Sequence, residues 1–204
     1  GFNDVTPYIT LQHAADTTKC INIAYVAEGY TPEEMETFIN DARTANDAIF
    51  SHEPFASMKD RFNVIAVKSP SKDSGTSIPS KGIWKRTALG SHFDTFYSER
   101  YLTTLNLKDL HDCLAGTPYE HIIVLVNTYN LSMTHHKLFK QVVTHEFGHS
   151  FAGLGDEYAY EFEQIPMYPH DIEPWEPNLT TLKDFHGKWE DMLKKGTKIP
   201  TPLK

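Results

Sequence analysis

The sequence predicts an α/β fold: a mixed, mostly parallel β-sheet flanked by helices, one of which carries the motif H-E-x-x-H. Three observations predict it. Three short apolar runs of strand length recur along the chain. A helical pattern with a clear start signal separates the first two. A second helical pattern follows the third and holds His145, Glu146 and His149.

The first run is Ile21-Asn22-Ile23-Ala24-Tyr25-Val26-Ala27, and Glu28-Gly29-Tyr30 turns out of it. Thr31-Pro32-Glu33-Glu34 then reads as a helix start. Thr31 is the cap, Pro32 takes the first helical position, and Glu34 closes a capping box. Met35, Phe38, Ile39, Ala42 and Ile49 mark the inner face of a helix ending near Phe50. Phe62-Asn63-Val64-Ile65-Ala66-Val67 is the second strand, so strand, helix and strand favour a right-handed parallel crossover. Residues 69–82 are rich in Ser, Lys, Gly and Pro and predict a long surface loop, a candidate rim of a functional site. A short helix is expected within 98–110. His121-Ile122-Ile123-Val124-Leu125-Val126-Asn127 is the third strand. The H-E-x-x-H helix is expected from His135 or His136 to about Ala152. Beyond Tyr158, Pro166, Pro169, Pro174 and Pro177 predict irregular structure. Residues 184–195, with Phe185, Trp189 and Met192, predict a last short amphipathic helix. No domain boundary is expected within 1–204.

The chain has 204 residues, 40% hydrophobic and 12% aromatic, which suffices for a sizeable core. Its formal net charge of −8 argues against nucleic acid and against an anionic membrane surface as partners. No run approaches the length of a membrane span. The two cysteines, Cys20 and Cys113, lie in no C-x-x-C pair. One disulfide or two buried thiols both fit them.

Chemistry concentrates in 144–158. Residues four apart on a helix share a face, so His145 and His149 can offer two imidazoles to one metal ion. Glu146 is placed to act on water at that metal, the two-His-and-carboxylate arrangement of zinc peptidases. The plainer reading is a helix that happens to carry two histidines on one side. Against it, Leu138, Val142, Val143, Phe147 and Phe151 set an apolar stripe beside the histidines, and Gly153 and Gly155 stop the helix at once. A catalytic zinc wants a third protein donor. Relative to the metzincin pattern H-E-x-x-H-x-x-G-x-x-H, glycine and acid each come one residue later, at Gly153 and Asp156. Asp156 is the expected ligand and Glu157 the runner-up; Asp156 could instead orient a ligand histidine.

Several stretches resemble the immunoglobulin A peptidase family of bacterial zinc metallopeptidases. They are Val26-Ala27-Glu28-Gly29-Tyr30-Thr31, Glu53-Pro54-Phe55, Phe93-Asp94-Thr95-Phe96, Glu99-Arg100-Tyr101-Leu102, Val124-Leu125-Val126-Asn127-Thr128, His145 through Tyr158, and Asp171 through Asn178. The resemblance covers most of the chain. It implies a zincin-like fold, a Zn²⁺ cofactor, a secreted, cell-surface or periplasmic location, and endopeptidase activity. The implied substrate is a polypeptide, Pro-rich, hinge-like or a glycoprotein. Two departures stand out. The Gly-rich loop usual after Asn127-Thr128 is replaced by Tyr129-Asn130. The family also continues past Pro202 into a segment with an Arg-Met turn and a C-x-x-C pair, so 1–204 is expected to be one catalytic domain of a longer secreted protein. Met167 is a weak stand-in for the methionine beneath the metal, with packing its plainer role.

On this reading Glu146 is the general base toward a zinc-activated water. Tyr158 and Tyr160 are candidate oxyanion or substrate contacts, with aromatic packing as their plainer role. His135 and His136 are expected at the surface. Glu28 and Arg100 suggest only a structural ion pair. The alternatives are a host-glycoprotein- or carbohydrate-binding module with a vestigial zinc site, and a zinc hydrolase acting on a small amide.

Overall fold

A computed structural model describes residues 5–98, 101–128, 138–157, 169 and 171–199. These hold a four-stranded mixed sheet and three α-helices. The chain divides into two compact units, Gly1–Thr144 and His145–Lys204.

The first unit contains the sheet. Its strands are β1 (Tyr8–Gln12), β2 (Ile21–Glu28), β3 (Phe62–Val67) and β4 (His121–Val126), in the order β1-β3-β2-β4. β2 pairs in parallel with both β3 and β4, so the sheet is mostly parallel as expected, while β1 closes the β3 edge antiparallel. The three predicted strands are its contiguous parallel part. β1 lay outside the sequence expectations.

Why the predicted runs are apolar throughout follows from the two covered faces. On one face Ala24, Val26, Ile65 and Val67 pack with Leu89 and with Leu110 and Leu114 of helix α2 (Leu107–Leu114). Alternation sends Ile23, Tyr25, Phe62 and Val64 to the other face. There Phe62 meets Phe50, at the end of the helix that follows β2, with ring centroids 5.2 Å apart. Helix α1 (Met35–Ile49) buries Phe38, Ile39, Ala42, Ala45, Ala48 and Ile49. Its start matches the sequence signal: the Glu34 carboxylate accepts the Thr31 N–H at 2.9 Å, and Pro32–Glu34 form a 3-10 turn leading into the helix.

Two expectations need correction here. Residues 69–82 are irregular, but Ser69, Ser71, Thr76 and Ser77 are buried. Their hydroxyls serve strand-end backbone: Ser69 Oγ donates to the Ala27 carbonyl at 2.6 Å and Thr76 Oγ1 to the Asn127 carbonyl at 2.9 Å. Among the described residues Glu28, fully buried, is met by uncharged donors. Its carboxylate accepts the Thr87 hydroxyl at 2.5 Å and the N–H groups of Leu89 and Ser91 at 2.8 Å each. Arg100, whose pairing with Glu28 is the plain reading of the two, lies outside the described residues, as does Glu99. The helix expected within 98–110 forms later, as α2.

Cys20 and Cys113 are both free. Burial pushes the Cys113 thiol up to about 11, and it donates to the Leu110 carbonyl at 3.0 Å, which marks it as a packed, unreactive group. Among the described residues no helix is long and apolar enough to cross a membrane.

Candidate metal centre

Helix α3 (Phe139–Ala152) carries the H-E-x-x-H motif, and the division between the two units falls at its residues 144 and 145. His145, His149, Asp156 and Asn178 therefore belong to the second unit. Of the expected apolar stripe, Phe147 is buried and its ring stacks on Phe151 with centroids 5.4 Å apart, Val142 and Val143 are half-buried, and Leu138 is exposed. His135 and His136 lie outside the described residues.

The helix stops where the sequence said it would. Gly153 adopts φ +64°, a left-handed conformation that costs glycine nothing, and its N–H closes on the His149 carbonyl at 3.0 Å. The reversal returns the chain toward the helix it has just left. At Gly155 a different constraint applies: a Cβ there would stand 2.6 Å from Leu179 Cδ1 and 3.0 Å from Glu176 Cγ. A side chain at 155 would require the Leu179 and Glu176 side chains to shift.

This turn delivers Asp156. The Nε2 atoms of His145 and His149 stand 2.9 Å apart, and Asp156 Oδ1 lies 3.1 Å from each. The two rings meet nearly edge to face, at 87°. His149 Nδ1–H donates to the Leu154 carbonyl, which fixes the tautomer and leaves the Nε2 lone pair directed at the cluster. That carbonyl is the main cause of the raised His149 pKa; burial opposes it, and the Asp156 and Glu146 charges add to it.

These residues fit a zinc ion. Two imidazole nitrogens and a carboxylate oxygen form a ligand set typical of catalytic zinc. Their separations of 2.9 and 3.1 Å approach the ~3.3 Å edges of a tetrahedron with bonds of ~2.0–2.1 Å. Asp156 Oδ1 is shielded from solvent yet has no hydrogen-bond partner, although both nitrogens are near; a cation shared with them would satisfy it. Among the described residues this is the one group of three or more His, Cys, Asp or Glu donors placed to hold a metal.

Glu146 is exposed and stands outside the His–His–Asp triangle. Glu157, the runner-up ligand, is also outside it. Its Oε1 instead accepts the Asn178 side-chain N–H at 2.9 Å. Tyr158, Tyr160 and Met167 lie outside the described residues.

Behind the turn lies an arrangement that sequence reasoning missed. Asn178 Oδ1 accepts the Gly155 N–H and Asn178 Nδ2 donates to the Gly155 carbonyl, both at 2.8 Å. The segment carrying Asn178 is itself tied down by Lys188. Its ammonium donates to the carbonyls of Pro174 at 2.6 Å, Glu176 at 2.9 Å and Leu179, and lies 3.0 Å from Glu173 Oε1. This inward turn of Lys188 is why the helix expected over 184–195 does not form. Lys188 takes φ −110° and ψ −106°, and the segment breaks into 3-10 turns at Phe185–Gly187 and Glu190–Met192.

Glu173 completes the knot. Burial alone would raise its pKa. Hydrogen bonds from Thr180, Lys188, Asp184 and Thr181 outweigh that and hold it down at about 2, against an ordinary 4.5. A depressed carboxylate contributes stability that is complete above its unfolded value and is lost as pH falls through the folded one. Thermal melting of the wild type is therefore expected to weaken between about pH 5 and pH 2, and Glu173→Gln to lack that component. Identical pH profiles for the two proteins would rule the contribution out.

No curated protein matches the chain. The model of one family, described as IgA Peptidase M64, matches residues 9–204, which is nearly the whole chain and includes β2, β3 and β4, the H-E-x-x-H helix and the Asn178–Lys188 segment. With a family-wide match of that extent, the chain belongs to the IgA peptidase M64 family, and polypeptide is its substrate.

Proposed function

We propose that this peptidase is a zinc-dependent endopeptidase of zincin-like fold, with His145, His149 and Asp156 as its metal ligands. The observation that carries the reading is the convergence of those three donors in a site still open to solvent. The side chains of His145, His149 and Asp156 are 43%, 29% and 32% exposed. A structural zinc is closed by four protein ligands, whereas a catalytic one keeps a position for water or substrate. Partial exposure and, among the described residues, a three-donor set favour the second kind, and so count against a binding module with a vestigial zinc.

Bound zinc supplies Lewis acidity, lowering the pKa of water and polarising the scissile carbonyl. The chain's own groups do the rest. Glu146 takes the proton of the attacking water and passes it to the leaving amine. His149, its tautomer fixed by Leu154, presents a lone pair and not an N–H to the reacting region. Tyr158 and Tyr160 follow the ligand turn and are proposed as donors to the developing oxyanion or to substrate. The proposed substrate is an extended polypeptide, Pro-rich, hinge-like or glycosylated, and the proposed location is secreted, cell-surface or periplasmic. The chain is proposed to act as one catalytic domain.

Cleavage of an unfolded protein substrate is expected to cease on chelation and to return with added zinc. His149→Ala is expected to bind less zinc and to stay inactive at zinc levels that restore the wild type. Undiminished metal content in His149→Ala would refute the site, and cleavage unaffected by thorough chelation would refute metal dependence.

A further inference from the structure

We infer that Asn178 is a positioning residue for the third metal ligand. Its side-chain amide pairs with the backbone of Gly155 and thereby sets the direction in which the next residue, Asp156, presents its carboxylate. The inference rests on the reading of His145, His149 and Asp156 as a metal site.

The glycine turn is weak by itself. Gly153 and Gly155 give the chain freedom to reverse, and the same freedom leaves the reversal undefined. Glycine loses more conformational entropy on ordering than any other residue. A short acid such as Asp156 needs its backbone fixed closely if its oxygen is to meet two imidazole nitrogens. Asn178 provides that fix. Oδ1 accepts from the Gly155 N–H and Nδ2 donates to the Gly155 carbonyl, both at 2.8 Å. A primary amide that meets both polar groups of one residue reproduces the two-bond pairing of an antiparallel strand neighbour. It restrains both flanking peptide planes of Gly155, and the second of these leads directly into Asp156.

The second Nδ2 hydrogen has its own role. It donates to Glu157 Oε1 at 2.9 Å, which holds the competing carboxylate outside the donor triangle. One side chain thus fixes the ligand's backbone and occupies its rival. Asn178 can do this because its own segment is immobilised: Lys188 binds the carbonyls of Pro174, Glu176 and Leu179 on either side of it. The Leu179 and Glu176 side chains then pack against Gly155, within 2.6 and 3.0 Å of where a Cβ would stand.

The test is a zinc titration of the purified chain against a competing chromophoric chelator, on Asn178→Ala, Asp156→Ala and the double variant. Asn178→Ala is expected to weaken zinc binding by roughly 10–100-fold, the usual cost of losing an outer hydrogen-bond partner. If Asn178 acts through Asp156, the substitution costs nothing further once Asp156 is alanine. A merely structural role would cost the same in both backgrounds. Cobalt absorption gives a second readout: Asn178→Ala is expected to shift the visible band toward that of Asp156→Ala. Should Asn178→Ala fail to fold, as read by circular dichroism, Asn178→Asp carries the same comparison. It keeps size and the acceptor for Gly155 N–H, but sets an oxygen against the Gly155 carbonyl and the Glu157 carboxylate. Wild-type zinc affinity in the folded Asn178 variant, or an equal loss in both backgrounds, would overturn the proposal. Undiminished affinity in Asp156→Ala would overturn the ligand assignment itself and the proposal with it.

Discussion

Glu146→Ala is expected to keep the fold and the zinc yet lose about 10²-fold or more in the rate of peptide hydrolysis, the usual scale for a positioned general base. The separation of effects follows from where Glu146 sits. It is exposed on α3, next in sequence to His145, and contributes no atom to the donor triangle of His145, His149 and Asp156. Alanine is the best helix former, so the helix that carries both histidines gains and does not lose propensity. Zinc content, the far-ultraviolet spectrum and initial rates on one peptide, measured on the same preparation, check all three parts. A variant that retains both zinc and activity would remove Glu146 from the mechanism. One that loses zinc along with activity would assign it a structural part in the site.

How much of this was legible in the sequence depended on the range of the interaction. β2, β3 and β4 were readable because both faces are covered, which forces apolar runs such as Ile23 to Ala27. β1 was not, since an edge strand of half-exposed Tyr8-Ile9-Thr10-Leu11-Gln12 leaves only a faint pattern. The site's local half was equally readable: four-residue spacing places His145 beside His149, and glycine ends the helix. Its distant half was invisible. Asn178 meets Gly155 across 23 residues through a side-chain-to-backbone pairing that has no period. The 184–195 segment misled for a related reason. Phe185, Trp189 and Met192 have helical spacing, and the Phe185 and Trp189 rings do pack, with centroids 4.5 Å apart. Lys188, which carries no signal in that pattern, turns inward to three carbonyls and breaks the helix. The buried hydroxyls of 69–77 belong with it: composition marks Ser and Thr as surface residues, but here they cap strand ends in place of water.

Asp156→Ala is expected to weaken zinc binding by more than the ~10–100-fold that loss of an outer partner costs, while Glu157→Ala stays close to wild type. Both acids lie just past the glycine turn, so sequence position alone ranks them weakly. The geometry separates them. Asp156 Oδ1 stands 3.1 Å from both imidazole nitrogens, shielded and without a hydrogen bond of its own. Glu157 is exposed and its Oε1 is taken up by Asn178. Removing Asp156 would leave two imidazoles to hold the ion, below the three protein donors of a catalytic zinc. Removing Glu157 deletes one acceptor of the Asn178 amide and leaves both bonds to Gly155 in place. Asp156→Glu sharpens the comparison, because it keeps the charge and lengthens the arm by one methylene. With the backbone held by Asn178, the longer side chain has to fold back to reach the same point, and zinc affinity is expected to fall between those of wild type and Asp156→Ala. A titration in which Glu157→Ala is the weaker binder would transfer the ligand role to Glu157. One in which neither substitution matters would place the third donor outside this turn.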